Sequence, residues 1–131
     1  MLADRLDRID LELAALEGRA GDQGAAALGE QLEAAIALVA RTMHAWLEQA
    51  GRVPPPPDTD VLEVWKTLVK GDPTWNAIRD NCRELVYYRN CLALGRADAL
   101  PPRPHRMAVR TARHIYLYVR SRAVREGLVP G

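Results

Sequence analysis

The amino-acid sequence predicts an all-α fold, an antiparallel helical bundle of four long helices plus one short helix. Apolar residues recur at intervals of three and four along most of the chain, which is the spacing of one helical face. Stretches rich in glycine or proline separate these periodic segments. No segment alternates apolar and polar residues with the period of two that is typical of a β-strand. The length of 131 residues predicts a single domain, residues 1–131, with a sizeable core.

The first two periodic segments predict a helical hairpin. The first helix carries an apolar seam at steps of four and three residues: Leu2, Leu6, Ile9, Leu13 and Leu16. This seam predicts a helix of the bundle, with a dimer-forming helix as the alternative. Gly18, Gly21 and Gly24 end it, and a second helix is predicted from about Ala25 to Ala50. The predicted buried face of that helix comprises Leu28, Leu32, Ile36, Val39, Met43, Trp46 and Leu47.

The connection to the third segment is rich in proline. Gly51 and Pro54–Pro57 stop the second helix and predict a stiff, extended connector. Three polar residues that can cap a helix follow: Asp58, Thr59 and Asp60. They precede a short predicted helix, Val61 to Lys70, which Gly71 ends. His44, on the helix before this connector, is interpreted as a hydrogen-bonded packing residue.

The stretch from Asp72 to Gly95 predicts one long helix. Asp72 can cap its first turn, Pro73 suits the first helical position, and Gly95 is a natural C-terminal stop. Its apolar stripe comprises Trp75, Ile78, Cys82, Leu85 and Leu92. Arg89 also lies on this stripe, so its permanent charge must find a partner or a wet cleft. We interpret Arg89 as a side chain that snorkels or pairs with a carboxylate of another helix, or alternatively as part of a site.

The last predicted helix, from Pro104 to about Glu126, is rich in arginine. Its packing face consists of small and branched residues: Ala108, Ala112, Ile115, Val119 and Ala123. Another face carries a row of arginines, which Arg103 precedes: Arg106, Arg110, Arg113 and Arg120. Such a row is usual on a solvated surface, and it is also a good geometry for contacting phosphates. Tyr116 and Tyr118 are interpreted as aromatics at the edge of the core.

Charge is divided unevenly along the chain. Residues 1–60 carry five arginines and eleven acidic residues, a net charge of −6. Residues 61–131 carry thirteen basic and six acidic residues, a net charge of +7. This asymmetry predicts either an anionic partner for the second half or docking of the two halves on each other and on a second copy.

Composition argues against several classes of protein. No apolar run is long enough to span a bilayer and no basic-then-apolar leader is present, so a cytoplasmic protein without membrane contact is expected. Cys82 and Cys91, nine residues apart on one helix, would lie about 13 Å apart along its axis and could not form a disulfide with each other. Three scattered histidines and the absence of Cys-x-x-Cys give no support to a metal site, and no cofactor is predicted.

One stretch resembles a known family. The run from Leu85 to Gly95, followed by a proline-rich loop and a basic helix, is similar to the end of HEPN domains. These are small helical bundles of prokaryotic toxin–antitoxin and antiviral systems, and many are metal-independent ribonucleases that act as dimers. Their signature is an arginine and a histidine with four to six residues between them, most often Arg-Asn, three residues, His and Gly. Arg89, Asn90 and Gly95 match this pattern, but Leu94 stands in place of the histidine.

This departure decides what the resemblance implies. Leucine can neither transfer a proton nor position a ribose hydroxyl, so the resemblance implies a HEPN-like module that has lost ribonuclease activity. Such a module would bind RNA, a nucleotide or a protein partner in a bacterial defence or toxin–antitoxin system, as a homodimer or as a subunit of a hetero-complex. Its candidate nucleic-acid-binding residues are Arg89, Arg96, Arg103, Arg106, Arg110, Arg113 and Arg120.

Two alternatives stay open at this point. The first is an active metal-independent ribonuclease with a rebuilt site, in which Arg89 and Asn90 act with His105 or His114. The second is a helical adaptor or dimerisation protein with no nucleic-acid role, whose arginines only dock its own acidic N-terminal half.

Overall fold

The computed structural model describes residues 1–19 and 24–131, and over these ranges the chain is helical with no β-strand. The α-helices are α1 (Leu2–Arg19), α2 (Gly24–Gln49), α3 (Val61–Gly71), α4 (Arg79–Ala93) and α5 (Pro104–Arg125). The predicted all-α class, with four long helices and one short helix, is therefore confirmed. Gly21, which was predicted to help end the first helix, lies outside the described residues.

Helix α2 lies at the centre of the bundle, because it packs against α1, α3, α4 and α5. Every residue of its predicted apolar face is buried. Further buried residues lie on other sides of the same helix: Ala35, Leu38, Thr42 and Ala45. A helix that is buried on several sides needs this broad apolar surface, and the many alanines permit close approach of its neighbours.

Helix α1 runs antiparallel to both α2 and α5. Arg5 pairs with Glu48, and Glu12 pairs with Arg41 at 2.7 Å, so the start of α1 lies beside the end of α2. Tyr116 of α5 donates a hydrogen bond to a backbone carbonyl of α1. All five residues of the apolar seam on α1 are buried within the chain. This covered seam is a bundle face, and the alternative that it joins two copies is wrong.

The predicted helix from Asp72 to Gly95 is divided in two. A 3₁₀ segment, Pro73–Ile78, precedes α4, and Asp72 caps that segment by accepting a hydrogen bond from the Thr74 amide at 3.0 Å. The indole of Trp65 donates to the Trp75 carbonyl at 3.0 Å. In a regular α-helix this carbonyl would accept from the amide four residues later, so a contact with α3 accompanies the tighter winding.

Helices α4 and α5 form an antiparallel pair on one side of α2. Near the middle of the pair, Thr111 donates a hydrogen bond to Glu84 at 2.7 Å. At one end, Arg122 pairs at 2.9 Å with Asp72, which directly precedes the 3₁₀ segment that leads into α4. The start of α5 therefore lies near the end of α4, where a short 3₁₀ turn, Ala97–Ala99, joins the two.

An aromatic cluster holds this pair onto α2. Trp75 is fully buried, and its ring meets the Trp46 ring edge-on with 5.0 Å between the centroids. The guanidinium of Arg122 lies 4.2 Å from the centre of the Trp75 ring and 5.3 Å from that of Trp46. The same guanidinium pairs with Asp72 and Glu126, so it combines cation–π contacts with two ion pairs.

Candidate functional site

Arg89, the arginine of the HEPN-like motif, is paired inside the molecule. Its guanidinium lies 2.8 Å from the carboxylate of Asp60, and its side chain is 30% exposed. Asp60 directly precedes α3 but makes no side-chain capping hydrogen bond, and the hydrogen bond from Arg89 lowers the pKa of its carboxyl group. Arg89 therefore lies at the edge of the core. The interpretation that it pairs with a carboxylate is confirmed, although Asp60 lies directly before α3 and not within a helix.

A cleft of about 360 Å³ opens beside this pair, between α2, the segment that enters α3 and Arg89. Six of its lining residues are polar and ionisable: Glu33, Arg41, His44, Asp58, Asp60 and Arg89. Arg41 pairs with Glu12 of α1, so both arginines of the cleft already have carboxylate partners. The cleft thus has mixed charge and offers a phosphate no unpaired guanidinium.

The structure of His44 in this cleft differs from the prediction made from the sequence. His44 is buried, and its Nε2 atom has no hydrogen-bond partner, whereas a hydrogen-bonded packing residue was predicted. Burial lowers the pKa of His44, so the imidazole is neutral at pH 7. Neither His105 nor His114 lines this cleft. His44 and Arg89 are 45 positions apart in the sequence, so no local spacing could have indicated that they line one cleft.

The remaining motif residues face elsewhere. Leu94 ends α4 and is 76% exposed, and Asn90 is exposed. Five residues of α-helix turn the chain by about 140° beyond one full turn, so Arg89 and position 94 point to different sides of the helix. The motif therefore does not form a compact group in this structure.

The predicted arginine row on α5 divides into two groups. In the first group, Arg113 contacts Asp10 at 2.5 Å and Glu17 at 2.8 Å, both on α1. Arg120 likewise contacts Asp7 of α1 at 3.1 Å. Arg96, in the loop before α5, pairs with its neighbour Asp98. The predicted docking of the acidic first half on the basic second half is confirmed for Arg113 and Arg120.

The second group faces solvent. Arg103, Arg106 and Arg110 are exposed and make no ion pair with any residue that the structure describes. Arg106 and Arg110 are four residues apart and lie on one face of α5, and Arg103 directly precedes the first residue of that helix. Arg103 also has a backbone φ of 54°, in the left-handed region that non-glycine residues rarely adopt.

Arg83 of α4 extends this surface, and the sequence interpretation missed it. It directly precedes Glu84, and Arg110 directly precedes Thr111, so both arginines flank the hydrogen bond that joins Glu84 to Thr111. The carboxylate of Glu84 accepts hydrogen bonds from Thr111 and Tyr88 and pairs with neither arginine. We call the four exposed residues the outer arginine patch: Arg83, Arg103, Arg106 and Arg110.

Other kinds of site have little support. Within the described ranges, no group of three or more His, Cys, Asp or Glu side chains could hold a metal ion. Cys82 and Cys91 are free and buried, and burial raises the pKa of the Cys82 thiol to about 12, which makes it a poor nucleophile. None of the described helices combines the length and apolar character that crossing a bilayer requires. No protein-family model, curated protein or solved structure matches the chain.

Proposed function

We propose that this chain is a catalytically inactive, HEPN-like helical module that binds RNA in a bacterial defence or toxin–antitoxin type system, as a homodimer or as a subunit of a larger complex. The observation that carries the proposal is the outer arginine patch. Its four guanidinium groups are exposed and have no carboxylate partner in the described part of the chain, whereas the rest of the arginine row is neutralised by α1. A guanidinium group can bind two oxygens of one phosphate at the same time, and the RNA backbone supplies a repeated row of phosphates.

Two observations support the absence of catalysis. Leu94 provides no group that can carry a proton, and it is exposed on a different side of α4 from Arg89. The carboxylate of Asp60 already neutralises Arg89, so a phosphate would have to displace this ion pair. A module with this arrangement holds RNA through the outer patch without activating its 2′-hydroxyl.

The test is fluorescence anisotropy with a labelled single-stranded RNA across a series of salt concentrations. Arg106→Gln combined with Arg110→Gln should weaken binding about tenfold at low salt. It should also reduce the slope of log affinity against log salt by about 1.4, since each phosphate contact to a single strand contributes about 0.7. Light scattering on the same samples distinguishes a homodimer from a monomer.

The matched control removes two other arginines from the same pair of helices. Arg79 is the first residue of α4 and Arg125 is the last residue of α5, and both are exposed. They lie at the end of the pair opposite to Arg103, Arg106 and Arg110, although Arg79 is one helical turn from Arg83. Arg79→Gln with Arg125→Gln removes the same charge and should leave most of the affinity. Equal losses in the two double variants, or no binding by the unaltered chain at low salt, would contradict the proposal.

A specific observation favours a second candidate, a metal-independent ribonuclease with a rebuilt site. His44 lines the same cleft as Arg89, is neutral at pH 7 and has an unpartnered nitrogen. It could accept a proton while Arg89, released from Asp60, contacts the phosphate. RNA incubated with the chain and a chelator should then be cut, and His44→Ala or Arg89→Ala should abolish cutting. Intact RNA at high protein concentration removes this candidate and leaves the first.

A further inference from the structure

Tyr87 stands apart from the other tyrosines of the chain. Its side chain is 52% exposed, whereas Tyr88 and Tyr116 are buried and Tyr118 is partly buried against the Trp75 ring. An exposed aromatic ring on a helix surface forgoes the gain of burial. The sequence interpretation considered only Tyr116 and Tyr118 and gave no role to Tyr87.

The position of Tyr87 places it beside the outer arginine patch. It lies one helical turn after Arg83 on the exposed face of α4 and three residues after Glu84, which bonds to α5. Its ring packs against the buried ring of Tyr88, with 6.3 Å between the centroids. Tyr88 in turn donates a hydrogen bond to Glu84 at 3.0 Å. Tyr87 is thus an exposed ring on a fixed support, one helical turn from Arg83, which has no carboxylate partner in the described residues.

We infer that Tyr87 stacks on an unpaired base of the bound RNA, so that the chain selects single-stranded over double-stranded RNA. This inference rests on the proposed function and names its substrate class. Phosphate contacts alone distinguish poorly between a single strand and a duplex, because both carry the same groups. A base inside a duplex is covered by its neighbours on both faces, whereas an unpaired base offers a free face to an aromatic ring.

Binding to a single-stranded oligouridine and to an RNA duplex of equal length tests this selection. Tyr87→Ala should weaken binding to oligouridine by about 5- to 150-fold, the range that corresponds to loss of one base–aromatic stack. Its salt dependence should not change, because no phosphate contact is removed. Tyr87→Phe keeps the ring and should bind like the unaltered chain. Thermal unfolding of each variant checks that the fold is retained.

A fluorescent substitution reports the stack directly. All three native tryptophans are buried: Trp46, Trp65 and Trp75. Tyr87→Trp introduces an exposed indole, whose emission is red-shifted and can be quenched by acrylamide. Oligouridine should quench this emission and protect it from acrylamide, whereas the duplex should do neither.

The possible failures are distinguishable. If Tyr87→Ala binds oligouridine as tightly as the unaltered chain while the Arg106/Arg110 double variant does not, this inference is overturned and the proposed function stands. Equal affinity of the unaltered chain for oligouridine and the duplex overturns it in the same way. No binding of either RNA by the unaltered chain overturns the proposed function, and this inference with it.

Discussion

The arginines within and after the first third of α5 are at similar helical spacing, yet they have different surroundings. From Arg113 onward, Arg113 and Arg120 contact acidic residues of α1, and Arg122 lies over two tryptophan rings. Nearer the start of the helix, Arg106 and Arg110 face solvent without an ion pair to the described residues. Arginines at similar spacing on one helix can therefore differ in function. The residues that pack around each arginine determine whether its guanidinium group remains available to a ligand.

The length of α1 explains where the row divides. Helix α1 runs antiparallel to α5, and Glu17, its last acidic residue, reaches Arg113. Arg110 and Arg106 lie nearer the start of α5, beyond Glu17, which is the last carboxylate of α1. Among the described residues, the acidic first half of the chain therefore neutralises only part of the basic second half, and most of the outer arginine patch comes from the remainder.

The largest effect is expected from replacing Arg122, an arginine of α5 that has several partners. Arg122 is only 14% exposed, contacts the Trp75 ring and pairs with two carboxylates. Arg122→Ala should lower the free energy of unfolding by about 3 kcal/mol, because it removes packing and leaves Asp72 without its partner. Urea denaturation measures this loss. Arg125→Ala, an exposed arginine in the same turn, should cost less than about 0.5 kcal/mol, and equal losses would contradict the assignment.

A smaller effect is expected from Arg113, which joins α5 to α1. Its side chain is 18% exposed and contacts both Asp10 and Glu17. Arg113→Ala should cost about 1–2 kcal/mol of unfolding free energy, less at high salt because the carboxylates are partly exposed. Arg110→Ala, one turn earlier on the solvent side, is the matched control and should cost less than about 0.5 kcal/mol. A salt-independent loss at Arg113 would point to packing alone.

The contrast also shows how far the sequence reaches. The steps of three and four in α1 and α2 predicted both helices and their buried faces, since burial of an apolar stripe depends mainly on local periodicity. The division of the arginine row could not be predicted in this way. Arg113 and Arg110 differ by a rotation of about 60° around α5. Only the position of α1, which the local sequence does not specify, determines that Arg113 meets a carboxylate and Arg110 faces solvent.

Contacts between distant segments account for the other differences. The hydrogen bond from Trp65 to the Trp75 carbonyl lies where the predicted helix is divided, and local propensity contains no sign of it. Similarly, the pairing of Arg89 with Asp60 was one of several open interpretations, because the connector that places Asp60 is 29 residues away. Tyr87 could have been recognised as exposed, because it falls outside the apolar stripe of its own helix.

The contribution of the ion pair between Asp72 and Arg122 to stability should depend on pH. The hydrogen bonds that Thr74 and Arg122 donate lower the pKa of Asp72 from 3.8 to about 2. A lowered pKa means that the ionised form stabilises the fold fully above pH 4, and that this contribution is lost as the pH falls towards 2. Asp72→Asn should therefore cost about 1 kcal/mol at pH 7, discounted because its side chain is 37% exposed, and almost nothing at pH 2.

The control for this measurement is Asp80→Asn. Asp80 is exposed, and no hydrogen bond or ion pair joins its side chain to the residues described. Unfolding by urea at a series of pH values should show a pH-dependent difference for Asp72→Asn and none for Asp80→Asn. If Asp72→Asn lowers the free energy of unfolding by the same amount at pH 7 and pH 2, the hydrogen bonds of Asp72 contribute to stability and its charge does not.

The smallest expected effect separates stability from binding at a single residue of the outer patch. Arg103 has a φ of 54° and precedes Pro104, two conditions that strain a residue with a Cβ atom. Arg103→Gly should raise the free energy of unfolding by about 0.5 kcal/mol, since relief of strain exceeds the extra freedom of glycine in the unfolded chain. The same change should weaken RNA binding a few-fold, because one phosphate contact is lost. Arg103→Ala keeps the strain and should weaken binding equally without raising stability. A gain in stability together with a loss of RNA affinity in Arg103→Gly would show that this arginine contributes to binding and not to folding. A loss of stability would instead group Arg103 with the ion-paired arginines Arg113, Arg120 and Arg122.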